Sequence, residues 1–155
     1  MEISAISMQP IGVVHSTRTS LDDYDWGSVV ANIELDAAFP IEALDGIDGF
    51  SHAEIIFHLD RIAPSRIVTG ARRPRDNPDW PRIGIFAQRG AVRPNRMGAT
   101  IVRVLGRDGR SLRVQGLDAV DGTPVLDIKP VMSEFLPREA VRQPEWSRDV
   151  MRNYW

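Results

Sequence analysis

Apolar residues recur along this chain in short runs up to about residue 130, each closed by Gly, Pro or Asp, and the runs are too short and too alternating for helices. The pattern predicts strands at Ile11–His15, Val29–Leu35, Ala53–Leu59, Ile83–Ala87, Ala99–Leu105, Leu112–Gln115 and Val125–Ile128. Arg107-Asp108-Gly109-Arg110 is the clearest hairpin turn, because Asp-Gly favours the positive φ angles that a tight hairpin needs. A short helix is expected at Ile41–Leu44. The tail from Pro144 places Trp146, Val150 and Tyr154 at i, i+4 and i+8, a helical stripe opened by proline that would pack on the strands or on a second subunit. Between them Pro64–Pro81 holds four prolines, the arginines Arg66, Arg72, Arg73 and Arg75, and Trp80, with no periodicity. It reads as a long loop, either solvated and flexible or used to meet phosphates and stacked bases. The expected fold is mainly β, an all-β or β-rich barrel with a short C-terminal helix.

With 155 residues the chain fits one domain burying roughly 68–70% of its unfolded surface. At 43% apolar and 26% charged it has the composition of a globular protein, no run reaches the roughly 18 apolar residues of a membrane span, and no export signal is visible. The absence of cysteine excludes disulfides, thiolate zinc sites and a cysteine nucleophile, and makes the cytoplasm the expected compartment. A net charge of −2 means that any nucleic-acid surface must be local. Of the 19 basic residues only Lys129 is lysine; the arginine bias suits phosphate and carboxylate recognition, although base composition of a genome would produce it too.

Several chemistries are excluded by what is missing. Neither G-x-G-x-x-G nor the P-loop pattern occurs, so a doubly wound nucleotide fold is disfavoured. Ser51 lacks the second glycine of a nucleophile elbow, and His15, His52 and His58 show no metal-binding spacing, so no metal site is expected. Two segments remain. Phe86–Gly98 combines Arg89 and Arg93 with Pro94-Asn95 and two glycines, a set able to hold a carboxylate or phosphate. Leu117–Pro130 gathers Asp118, Asp121, Asp127 and Lys129 around a Gly-Thr-Pro turn, which would equally serve as a plain connection between two strands.

Those two segments, together with Pro10-Ile11-Gly12-Val13-Val14-His15-Ser16 and Gly49-Phe50-Ser51-His52, resemble in order and spacing the tRNA threonylcarbamoyladenosine N6-methyltransferase family, also called the TsaA-like, TrmO or VirR family. The resemblance covers about residues 10–135 and is most specific at Arg93-Pro94-Asn95 with Gly98 and at Asp121–Pro130. It implies an antiparallel barrel over residues 1–135, unlike Rossmann-type methyltransferases, followed by a helical tail at 136–155. It also implies a homodimer that binds S-adenosylmethionine near the subunit interface and acts on tRNA.

Carried over position by position, the resemblance implies cofactor contacts at His52, Ala53, Arg89, Arg93, Asn95, Gly98, Ala99, Asp121, Gly122, Thr123 and Pro124, with Tyr24, Asp25 and Trp26 standing in the first loop. Asp121 or Asp127 would accept the N6 proton and Lys129 would balance charge or orient the substrate. The chain departs from the family in that loop, where Asp22–Trp26 replace Pro-Arg-Gln, and at Ala53, Glu54, Gln88 and Arg96. Two further readings stay open at this point: the same scaffold methylating another nucleoside or a small molecule, and a regulatory protein that binds the cofactor without turnover.

Overall fold

The computed structural model describes residues 1–155. Its strands are β1 (Gly12–Ser16), β2 (Val30–Leu35), β3 (His52–His58), β4 (Ala71–Arg72), β5 (Ile83–Gly84), β6 (Met97–Asp108), β7 (Ser111–Gln115) and β8 (Pro124–Pro130), and its one α-helix is α1 (Glu145–Val150). Six of the strands close a barrel in the order β1-β2-β7-β6-β3-β8, every pair antiparallel. The expected mainly β barrel is therefore present. No helix is long and apolar enough to cross a membrane.

Period-two alternation builds the interior. Ala31, Ile33 and Leu35 of β2, Ala53, Ile55 and Phe57 of β3, and Leu112 and Val114 of β7 all face inward, buried, while their neighbours face out. Each large side chain so buried contributes about 1.5–3 kcal/mol. β1 approaches β2 closely enough that a side chain at Gly12 would meet the Glu34 carbonyl.

The twelve-residue β6 changes partners midway. Met97–Arg103 pair with β3, whereas only Arg103–Asp108 pair with β7. Along residues 97–102 the β7 side of β6 therefore has no strand beside it.

Several expectations shift. The strand expected at Ile83–Ala87 ends at Gly84, and Ile85–Ala87 turn into a 3₁₀ helix because Ile85 is drawn into a satellite cluster with Ile62 and Val92. Ile41–Leu44 is likewise 3₁₀, burying Leu44. In the hairpin the loop residues are Gly109 and Arg110, and of the two only Gly109 takes positive φ, at 56°, so the turn sits one residue later than the Asp-Gly pair suggested.

Pro64–Pro81 is not a structureless loop. It contains 3₁₀ turns at Pro64–Arg66 and Pro74–Asp76, and its β4 pairs with β5. In the tail, α1 stops at Val150 and Asn153 adopts φ of 61°, so Tyr154 leaves the helical stripe and packs against the barrel.

Candidate functional site

One group of the sequence-predicted residues gathers at the free edge of β6. Arg89 donates from Nη2 to the Ala99 carbonyl at 2.6 Å, giving that edge a guanidinium in place of a strand. Gln88 holds the approach to it, donating from Nε2 to the Arg72 and Ile83 carbonyls at 2.9 and 2.7 Å. Arg93 in turn donates to the Gln88 carbonyl at 2.7 Å. Asn95 sits at φ 63°, ψ −8°, with the Arg96 N–H reaching the Arg93 carbonyl at 3.1 Å, the arrangement of a Pro-Asn turn. Arg93 and Asn95 thus shape the loop, and Arg89 is the exposed cation it presents. Gly98 has a different role from close approach to a ligand: a Cβ there would run into the Phe57 ring.

The connection from β7 to β8 lies beside the same edge. Asp118 accepts from Thr100 Oγ1 at 2.5 Å and from the Tyr154 hydroxyl. Asp121 caps the end of β1, accepting from the Ser16 N–H at 3.0 Å, and its carbonyl takes Arg61 Nη2 at 2.8 Å. Gly122 at φ 84° turns the chain and donates to the Val14 carbonyl at 2.8 Å. Thr123 is buried and bonds the Val120 carbonyl through Oγ1 at 2.7 Å. Pro124 then opens β8.

The first loop closes over this connection. Arg18 Cζ stands 3.9 Å above the Trp26 ring, and its nitrogens reach the Tyr24 carbonyl at 2.7 Å and the Asp22 and Asp25 carbonyls at 3.2 and 3.3 Å. Trp26 is buried and donates from Nε1 to the Asp22 carbonyl at 2.9 Å, while Tyr24 stays exposed. Asp25 takes φ 59°. The Arg-rich segment is tied to the same loop by Arg75, 3.2 Å from Asp23, whose guanidinium also lies over Trp80 at 5.9 Å. Arg75 and Asp76 hold the left-handed backbone region, a cost of order 1–3 kcal/mol each that the surrounding contacts must offset.

Other predicted residues project from the outer face of the β8-β3-β6 sheet. Register places Asp127, Ile56 and Ala99 in one row and Lys129, Glu54 and Ile101 in the next row on that face. Lys129 Nζ is 3.0 Å from Asp127 Oδ2, and Asp127 Oδ1 accepts from the Ile128 N–H at 2.9 Å. The hydrogen bond to Asp127, then its charge, push the Lys129 pKa up, so the ammonium form is favoured. Asp127 also borders an apolar groove of about 420 Å³ lined by Ile11, Leu35, Phe39, Leu44 and Ile128.

His52 is at the far end of β3 from the Asp121 turn, pairing with Arg103, whereas Phe57 pairs with Val125. The five residue steps from His52 to Phe57 span about 16–17 Å of strand. One chain alone therefore does not bring His52 to the Asp121–Pro124 turn. Ala53 is wholly buried in the core, in a strand paired on one side with β6 and on the other with β8. No cluster of His, Asp and Glu has the geometry of a metal site.

Sequence reasoning missed Thr100, Arg61 and Tyr154 as parts of this constellation. Arg61 carries no local signal, and Tyr154 was read as part of a helical stripe.

The pattern of the tRNA-methyltransferase O N-terminal domain matches residues 24–135. A probable S-adenosyl-L-methionine-binding protein of Pyrococcus abyssi is 36% identical over 88% of this chain and 74% of its own length. The human tRNA (adenine(37)-N6)-methyltransferase is 32% identical over 68% of this chain but only 23% of its own length. The crystal structure of TrmO from Pseudomonas aeruginosa superposes with a TM-score of 0.75 at 28% identity, covering 94% of this chain and 63% of that one. The chain thus spans less than two thirds of that solved protein and about a quarter of the human one.

Proposed function

The chain belongs to the tRNA-methyltransferase O N-terminal domain family, and from that membership we propose that it is an S-adenosylmethionine-dependent methyltransferase of tRNA, acting on N6 of threonylcarbamoyladenosine beside the anticodon. The observation that carries the reading is the free edge of β6, with Arg89 on the Ala99 carbonyl and the Asp118–Thr123 connection alongside.

The donor set there fits the cofactor. Arg89 is an exposed guanidinium for a methionine carboxylate, Asp118 and Asp121 supply negative charge for its cationic centres, and the strand edge offers backbone groups for an adenine. S-adenosylmethionine supplies a methyl group already activated on a sulfonium. The protein's task is then to place the acceptor nitrogen in line, where positioning alone lowers the barrier substantially, and to take one proton.

For that proton the carboxylates are better suited than Lys129, which Asp127 keeps in its cationic form. Asp127 is oriented by Lys129 and by its own strand backbone, and Asp121 by the Ser16 N–H. Lys129, on the exposed face, orients or neutralises the substrate.

A homodimer follows from the same reading. His52, Ala99, Asp127 and Lys129 project from one face while Tyr24–Trp26 and Asp121–Pro124 form a rim elsewhere, and a second copy can bring one chain's face to the other's rim. Residues 1–135 would form the cofactor-binding barrel and 136–155 its tail, working in the cytoplasm where tRNA is modified.

The test is to incubate the purified chain with S-adenosylmethionine and tRNA from cells lacking this modification, and to analyse the nucleosides by mass spectrometry. A gain of one methyl on threonylcarbamoyladenosine is expected. Cofactor binding with no nucleoside changed would overturn the tRNA reading.

A further inference from the structure

Asp118 is half-buried and has no cationic partner; its carboxylate is oriented by two hydroxyls, Thr100 on one side and Tyr154 on the other. Thr100 is only 8% exposed and follows Ala99, the residue whose carbonyl Arg89 holds. Tyr154 reaches further. Its own carbonyl accepts from the Trp26 N–H at 2.8 Å, and the carbonyl of the preceding Asn153 accepts from the Asp25 N–H at 2.9 Å. One residue of the tail therefore joins three segments assigned to the cofactor: the β6 edge, the Asp118–Thr123 connection and the first loop.

A phenylalanine would pack as well as tyrosine, so the hydroxyl calls for a separate reason. It can donate to Asp118 only while protonated, and its surroundings keep it so: burial first, then the charge of Asp118 and the hydrogen bond to it, with Asp23 adding to these and Arg75 opposing them, push its pKa far up. A carboxylate that lost this donor would keep only Thr100 and be free to turn toward solvent or toward the cationic part of a ligand.

We propose that Tyr154 is a positioning residue of the cofactor cleft, holding the Asp118 carboxylate against Thr100 and so fixing the free edge of β6 and the connection beside it; the inference rests on that cleft being the S-adenosylmethionine site. The experiment is a double-mutant cycle on the whole chain with Tyr154→Phe, Asp118→Asn and the pair. Each protein is titrated with S-adenosylmethionine by calorimetry well below its ligand-free melting midpoint, which is measured alongside.

Tyr154→Phe is expected to raise the cofactor Kd about tenfold, and to add almost nothing when Asp118 is already Asn. A Tyr154→Phe chain that binds like wild type overturns the inference, as do two single effects that simply multiply in the pair, since a tail with a merely structural role gives independent losses. Should Tyr154→Phe fail to fold, Asp118→Asn carries the test from the acceptor side, and an unchanged Kd there overturns the inference equally. Wild-type protein that binds no S-adenosylmethionine overturns the cofactor reading itself, a result distinct from the others.

Discussion

The Phe57 ring lies against the backbone of Gly98 across the β3–β6 pair, in the space a side chain at position 98 would need. Gly98→Ala must push a fully packed ring aside. It should therefore cost about 1–3 kcal/mol of stability, read by chemical denaturation of the ligand-free chain. If the glycine served only to admit a ligand, stability would not change and only binding would suffer.

Arg89 is exposed and bonds a single carbonyl, so its removal should scarcely alter folding. Arg89→Ala is expected to leave the melting midpoint within about 2 °C. It should weaken S-adenosylmethionine binding by roughly 10- to 100-fold, the range of a lost charge-assisted bond, and Arg89→Lys should recover only part of that. Calorimetric titration reads both.

The two candidate bases separate kinetically. Asp127→Asn keeps the size of the side chain while removing its charge and one of its two acceptor oxygens, and is expected to lower kcat by about 10²–10⁴ with little change in cofactor Kd. Asp121→Asn, in the turn proposed to hold the cofactor, should raise that Kd as well. Single-turnover methyl transfer and equilibrium binding, measured together, distinguish them.

Tyr154 gives a pH signature in the alkaline range. Its folded pKa lies above its unfolded value, so its contribution to stability is complete below about pH 10 and is lost progressively as pH rises beyond that. Wild type should lose more stability between pH 9 and about pH 11 than Tyr154→Phe, the difference isolating this one group from Lys129. Melting midpoints across that range provide the check.

Binding of tRNA should weaken steeply with salt, each neutralised phosphate adding about −0.7 to −0.9 to the slope of log affinity against log salt. Arg66, in the Arg-rich segment, and Arg82, just beyond its end, are exposed and take no part in the site's hydrogen bonds or ion pairs. Replacing either by Ala should flatten that slope by just under one unit if the Arg-rich segment tracks the backbone, as filter-binding titrations would reveal.

The barrel was legible because its strands alternate. Ala31-Asn32-Ile33-Glu34-Leu35 can bury one side only, and six of the seven expected runs close round one core. Ile83–Ala87 misled because its apolar content is right for a strand, but Ile85 is captured by a cluster formed with Ile62 and Val92, which no local pattern announces.

The same limit applies at the site. Arg89, Ala99 and the Asp121 turn stand in recognisable motifs, whereas Arg61 touches the Asp121 carbonyl from 60 positions away and Tyr154 touches Asp118 from 36. Contacts of that separation are set by tertiary closure. A period-3.6 stripe also carries no notice that the helix ends at Val150 and that Asn153 turns to positive φ.

The partner change along β6 has one more consequence. Unpaired strand edges are templates on which another chain can add, and proteins ordinarily blunt them with charge or cover them. Here the guanidinium of Arg89 stands on the Ala99 carbonyl of the edge that β6 leaves without a strand. Removing Arg89 bares that edge to strand addition, so a variant made to probe ligand binding should report on solubility too.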